Sequence, residues 1–251
     1  MKVKRITQIE NYIKEKKEAS LEELKNHFDV SLNTIRRDIN ELAKSETVKK
    51  VYGGVVYNKK ETTMAYEDRN ISHLLEKRKI GTYCSKYIES DDIIFIDSGT
   101  TTHYILDDLD KNISFTLITN SLEVINKAVN FPNVTLLITG DTYKKSTKSF
   151  TGISENQTIH KFNINKAFMS ATAFSIDNGA SNTDLLENRT KSMVCSRSNE
   201  VYLLIDSSKF GQTSLFTYCH LEKINVIVTD NNIDRDYLDE LNESITEVIA
   251  L

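Results

Sequence analysis

Cysteine, proline and long apolar runs are the scarce features of this 251-residue sequence, which holds three cysteines and one proline. Cys84, Cys195 and Cys219 are odd in number, far apart and without a Cys-x-x-Cys pair. That usage excludes a disulfide framework and a cysteine zinc site, and it fits a reducing cytoplasm. The five histidines, His27, His73, His103, His160 and His220, show no His-Glu-x-x-His or related spacing, so no metal is expected. No P-loop pattern occurs, Gly99 alone makes no dinucleotide fingerprint, and no cofactor is expected. No stretch approaches the ~20 uninterrupted apolar residues of a membrane span. The basic start, Met1-Lys-Val-Lys-Arg5, runs into a polar amphipathic segment where a secretory signal needs an apolar block, so export is not expected. Repeats and low-complexity segments are absent, and Pro132 sits harmlessly before an expected strand.

What is present is an ordinary globular balance, 39% hydrophobic and 27% charged, with the charge unevenly spread. The net charge of −4 conceals a basic head: residues 1–60 carry 14 Lys and Arg against 9 Asp and Glu, whereas the remainder is strongly acidic. Because salt screens charge over roughly 8 Å, a local basic surface can meet phosphate despite an acidic total. Lysines on solvated helices would produce the same excess, so charge alone leaves nucleic-acid binding open.

The first 57 residues read as a helix, a helix pair and a hairpin. Ile6, Ile9, Tyr12 and Ile13 form the apolar stripe of the first helix. Ser20-Leu-Glu-Glu23 has capping-box spacing and opens a second helix with Leu21, Leu24 and Phe28 inward. Asp29-Val30-Ser31 makes a turn, and Ser31 caps a third helix expected to reach about Lys44. Thr47–Val51 and Val55–Tyr57 flank Gly53-Gly54, the composition of a tight hairpin turn, and form a wing. Residues 58–73 are polar and aperiodic, as a linker would be. From 74 to 251, strand-like and helix-like runs alternate. The expected strands are Ile93–Asp97, Phe115–Thr119, Val134–Thr139, Lys166–Ala171, Val201–Asp206, Val226–Thr229 and Glu247–Ala250. Continuous apolar runs such as Ile93-Ile-Phe-Ile96 point to strands covered on both faces, hence a mostly parallel α/β sheet.

On the third helix, Leu32, Ile35, Ile39 and Leu42 share one side, with Asn33, Arg37, Asn40 and Lys44 opposite and Arg36 at the flank. Arginine can bond guanine bidentately and asparagine adenine, and such a helix fits the major groove. Ser31, Asn33, Thr34, Arg36 and Arg37 are candidate contacts from the helix, and Lys49, Lys50, Tyr52 and Gly53 from the wing. Each residue alone suits a merely solvated helix; the order of the parts favours DNA.

Val30-Ser-Leu-Asn-Thr-Ile-Arg-Arg-Asp-Ile39 followed by Tyr52-Gly-Gly54 resembles the winged helix-turn-helix signature of the DeoR family of repressors. The resemblance continues through Ile96-Asp-Ser-Gly-Thr-Thr-Thr102, Thr119-Asn-Ser121 and Asp206-Ser-Ser-Lys-Phe210. Val51-Tyr-Gly-Gly54, Asn165 to Thr172 and Asn182-Thr-Asp-Leu-Leu-Glu187 are similar to the repressors of inositol catabolism within it. The resemblance implies a sensor domain like ribose-5-phosphate isomerase without its activity, and a dimer or tetramer on double-stranded operator DNA. It implies release by a phosphorylated sugar or keto-acid effector.

A strand-to-helix turn rich in Gly and hydroxyls, Asp97, Ser98, Gly99, Thr100, Thr101 and Thr102, suits a phosphate, although capping a helix would use the same groups. Thr119, Asn120, Ser121 and Gly140 end neighbouring strands and are expected at the same crevice. Asp206 offers a carboxylate for ligand hydroxyls and Lys209 an ammonium for its anion, unless they form a local ion pair. Thr172 and Glu187 join them because matching segments of the family border its effector pocket. His103 adjoins the threonines and reads more simply as a surface histidine. Gly140-Asp141 departs from the family's usual Gly-Gly. Two readings compete: a sugar-phosphate isomerase-like enzyme with Asp97, Asp206 or Glu187 as base and Lys209 steadying an enediolate, and an activator using the same DNA contacts. A catalytic unit has no need of a winged helix, so no catalytic residue is assigned.

Overall fold

The computed structural model describes residues 2–43, 48–51, 53–57, 66–152 and 161–251. The chain forms two compact units, Met1–Thr63 and Met64–Leu251.

In the first unit, α1 (Lys2–Lys16), β1 (Glu18–Ser20), α2 (Leu21–Phe28), α3 (Leu32–Leu42), β2 (Val48–Val51) and β3 (Gly54–Tyr57) surround one core. Ile9, Ile13, Leu24, Ile35, Ile39, Leu42, Val48 and Val55 fill it. The reciprocal box at the start of α2 forms, with Ser20 Oγ accepting from the Glu23 amide at 3.0 Å. Asp29 then turns the chain in a left-handed conformation, and Ser31 caps α3. The wing gains a strand that the sequence pattern did not suggest: β1 pairs antiparallel with β3, making the order β1-β3-β2. The two wing glycines serve different ends. Gly53 has φ +76°, whereas a Cβ on Gly54 would come within 2.8 Å of the Ala19 carbonyl oxygen, where β1 crosses.

The second unit opens with α4 (Tyr66–Ile71) and α5 (Leu74–Cys84), followed by β4 (Ile93–Ile96), β5 (Phe115–Thr119), α6 (Leu122–Ala128) and β6 (Val134–Ile138). The hairpin β7 (Thr142–Lys144) and β8 (Ser149–Thr151) precedes β9 (Ile164–Met169), β10 (Ala173–Ser175) and β11 (Gly179–Asn182). Then come α7 (Leu185–Arg197), β12 (Ser198–Leu204), β13 (Phe216–Cys219), β14 (Val226–Thr229), α8 (Arg235–Asn242) and β15 (Glu247–Ala250). All seven strands expected from the apolar runs join one parallel sheet, ordered β15-β14-β12-β9-β4-β5-β6. Separate apolar clusters cover its two faces, which is why those strands lack alternation. The chain leaves β4 toward β5 and β6, then returns to lay β9 on the other side of β4. A crevice therefore opens beyond the C-terminal ends of β4 and β9.

Two expectations need correction. Tyr66–Ile71, placed within a linker spanning 58–73, is helical, and Tyr66 is 1% exposed. One buried aromatic anchors a segment whose remaining residues are polar apart from the exposed Ile71; residues 58–65 lie outside the described set. After the threonine turn, the expected amphipathic helix is a 3-10 stretch, Thr102–Asp107. The Thr102 hydroxyl donates to the carbonyls of Asp97 and Gly99 and so competes with regular helix bonding. Ile39→Ala should destabilise the first unit by about 2–4 kcal/mol, since the side chain is fully packed. Urea unfolding followed by hydrogen exchange in residues 2–43 checks it, and a cost under about 1 kcal/mol would place Ile39 outside the core.

Candidate functional site

Two sites emerge, one in each unit. In the first, Ile35, Ile39 and Leu42 bury one face of α3 while Asn33, Arg36, Arg37 and Asn40 remain exposed. A buried acid secures the helix from behind: Asp38, 1% exposed, accepts from the Arg5 guanidinium at 2.7 Å. Among the described residues, Arg36 and Arg37 have no acidic partner. Thr34 is tied to Ser31, its amide and hydroxyl both meeting Ser31 Oγ. Lys49, Lys50 and Gly53 are exposed on the wing, with the Lys50 ammonium on the Asn40 side-chain oxygen. Tyr52 lies outside the described residues.

The second site is the crevice at the switch in strand order, about 630 Å³ including its open mouth. It is lined by the turn Ser98–Thr101 after β4, by Ser170 to Thr172 after β9, and by Lys209 beyond β12. Glu187 and Lys191 reach it from α7, Arg69 from α4 and Lys77 from α5. Gly99 is required at the bend, since a Cβ there would fall 2.1 Å from Ser170 Oγ. The amides of Ser98, Gly99, Thr100 and Thr101 donate to no acceptor among the described residues, leaving a row of N–H groups for an anion.

Of the residues expected from sequence, Ser98, Gly99, Thr100, Thr101, Thr172, Glu187 and Lys209 are brought together here. The others are not. Asp97 lies behind the wall, where one carboxylate oxygen accepts from the Lys191 ammonium and from the Ser170 amide at 3.1 Å. Thr102 is fully buried on backbone carbonyls, and Asp206 is buried with its Oδ2 3.9 Å from the Lys77 ammonium. Thr119 spends its hydroxyl on the Ile96 carbonyl, and Ser121 caps α6. The Asn120 carbonyl accepts from the Phe150 amide at 2.7 Å and its side-chain amide donates to the Phe150 carbonyl at 3.4 Å, and Gly140, at φ +90°, abuts the same residue. Asn120, Ser121 and Gly140 lie against the β7–β8 hairpin, whose Thr147 does line the cleft. The Thr119 and Ser121 hydroxyls are consumed by the fold, whereas the buried Asn120 Oδ1 has no hydrogen-bond partner among the described residues.

Arg69, Lys77, Thr147, Ser170, Asn182 and Lys191 were missed. The i, i+4 spacing of Glu187 and Lys191 on one helix face was the available signal for Lys191; Lys77 and Arg69 sit on helices whose approach to the sheet nothing local announces. Burial pulls the Lys77 ammonium down to about 8 against the pull of Asp206. His103 is buried rather than on the surface, and burial, then Lys127, lowers it to about 4. The cleft thus combines cations, hydroxyls and free amides around one carboxylate, a chemistry suited to holding a small oxyanion bearing hydroxyls.

Comparison with known proteins places both sites in context. Residues 5–61 match the DeoR-like helix-turn-helix domain and residues 72–231 the DeoR C terminal sensor domain. The HTH-type transcriptional regulator IolR of Bacillus subtilis is 46% identical over 97% of both chains. The L-fucose operon activator of Haemophilus influenzae is 31% identical, covering 88% of this chain and 89% of its own. A lactose phosphotransferase system repressor of Staphylococcus epidermidis is 30% identical over 99% of each. Among solved structures, ribose 5-phosphate isomerase A of Neisseria gonorrhoeae aligns at 13% identity and TM-score 0.38, covering 53% of this chain and 52% of its own. The sorbitol operon regulator SorC of Klebsiella pneumoniae aligns at 9% and 0.45, covering 96% and 99%. Neither structural likeness is close enough to define this site.

Lys191→Met should cost about 3 kcal/mol in the second unit by leaving Asp97 charged without its cation. Denaturant unfolding measures this, and adding Asp97→Asn should restore part of the loss; no restoration would separate the two residues. His103 has a folded value below its ordinary 6.5. Below that pH the unfolded chain binds a proton that the folded one refuses, so stability should decline between about pH 6.5 and 4. His103→Gln should flatten that stretch of the stability profile, and an unchanged profile would exclude the histidine as its source.

Proposed function

The chain belongs to the DeoR family of transcriptional regulators, and from that premise we propose that it represses a carbohydrate or polyol catabolic operon in the cytoplasm. The exposed arginines of α3, which have no acidic partner among the described residues, carry the reading. A helix clamped by Ile35, Ile39, Leu42 and the Arg5–Asp38 pair presents a rigid row of donors to the major groove, while Lys49 and Lys50 meet phosphate. Recognition of paired half-sites calls for a homodimer or tetramer. Similarity to the inositol-type repressors in Val51–Gly54, Asn165–Thr172 and Asn182–Glu187 makes inositol catabolism the first operon to test.

The cleft of the second unit is the effector site in this reading. A phosphorylated sugar or keto acid would place its anion on the Ser98–Thr101 amides and its hydroxyls toward Glu187. For 100-fold derepression, the ligand must favour the released state by about 2.7 kcal/mol. The likeness to an operon activator supports a second reading, in which the same contacts recruit transcription. Reporter expression with and without the gene separates them: expression rises on deletion for a repressor and falls for an activator.

Arg37→Ala should weaken operator binding by about 1–3 kcal/mol in a gel-shift titration, and equal loss on scrambled DNA would reduce Arg37 to a phosphate contact. Thr101→Val should bind operator but resist release by inducer, and a normal induction curve would remove the Thr101 hydroxyl from the effector site.

A further inference from the structure

The last turn of α7 and the last residue of β13 bring two of the three cysteines together. Cys195 and Cys219 are buried free thiols in one apolar cluster with Val194 and Tyr218, and their sulfurs share a hydrogen bond. Neither lines the cleft, yet α7 joins them to it. Glu187, Lys191 and Cys195 follow one another at four-residue intervals along a single face of that helix. Glu187 meets the opening, Lys191 holds Asp97, and Cys195 comes next. Tyr218, beside Cys219, donates its hydroxyl to the Ser170 carbonyl at 2.8 Å.

The two thiols differ in acidity. The hydrogen bond with Cys195 holds the Cys219 thiol below its ordinary value against the effect of burial, and Lys223 adds to the lowering. The same bond, together with burial, pushes the Cys195 thiol well up. Cys219 therefore ionises first while Cys195 keeps its proton, which is the division between an attacking and a resolving thiol. Position provides access: the end of a helix and the end of a strand open locally more readily than the middle of either, and His220, next after Cys219, is exposed. Cys84 is the contrast, since it ends α5 with no sulfur partner among the described residues and burial pushes its thiol up.

We propose that Cys195 and Cys219 are a modification site, a dithiol that a peroxide converts reversibly to a disulfide. The Cys219 thiolate attacks one peroxide oxygen, the O–O bond breaks, and the departing hydroxide takes up a proton, leaving Cys219 sulfenic acid and water. The Cys195 sulfur then displaces the hydroxyl from the Cys219 sulfur, and that hydroxyl leaves with the Cys195 proton as a second water. Two thiols and one peroxide give one disulfide and two waters, with sulfur oxidised and oxygen reduced. In a reducing compartment the pair rests as thiols and closes only when oxidant rises. The bond fastens the end of α7 to β13, so oxidation immobilises the helix that carries Lys191 and Glu187.

Treatment of the full chain with hydrogen peroxide, followed by alkylation of the remaining thiols in denaturant and peptide mapping, tests the proposal. A peptide joining Cys195 to Cys219 should appear, Cys84 should be the alkylated thiol, and dithiothreitol should restore all three thiols. Amides in the C-terminal turn of α7 should exchange about three-fold more slowly, or slower still, in the oxidised chain. With Cys195→Ser, oxidation should stop at a sulfenic acid on Cys219 that dimedone captures; with Cys219→Ser, oxidation at Cys195 should slow about ten-fold. Mapping of the parent chain decides the matter even where a serine variant loses its fold. Oxidation confined to Cys84, disulfides between chains, or three untouched thiols in a folded chain whose urea-unfolded form is oxidised would each overturn the site. Unchanged α7 exchange in the disulfide form would overturn its coupling to the cleft.

Discussion

Where β4 and β9 part, a carboxylate that water cannot reach holds three elements at once. Asp97 closes β4, receives the amide of Ser170 at the end of β9, and takes the ammonium of Lys191 from α7. Burying two charges is costly unless each finds partners, and here both do: Lys191 also meets the Ser170 carbonyl and lies 5.1 Å from the Tyr218 ring centre. The pair therefore sets the spacing of the switch point, and everything lining the cleft is measured from it. Gly99 must lie against Ser170, the following amides must face outward, and Glu187, one helical turn before Lys191, must face the same opening.

The first unit solves a different problem with the same economy of charge. Asp38 is the one buried acid of α3, and its bond to Arg5 holds the recognition helix to α1 while the arginines on the other face keep their donors for a partner. Charges turned inward hold the element in place, and charges turned outward remain available. The two wing glycines obey a similar division, one for the turn and one for the close passage of β1.

Much was legible along the chain. Apolar runs located all seven parallel strands, because strands covered on both faces cannot alternate. Capping residues located α2 and α3, because Ser20, Glu23 and Ser31 satisfy amides within three residues of themselves. Site residues fared worse wherever a polar group could be used either by the fold or by a ligand. Thr101 and Thr102 are neighbours of identical chemistry, yet one lines the cleft and the other is sealed onto Asp97 and Gly99 carbonyls.

By itself, the order of residues determined the helix caps, the strands, the wing turn and the membership of a family, since each depends on neighbours within a few positions or on a pattern shared by relatives. Only the tertiary structure decided which polar groups are free. Lys191 reaches Asp97 across 94 positions and Lys77 approaches Asp206 across a longer gap still. Contacts at such separations arise from how helices lie on the sheet, and that packing has no local signature.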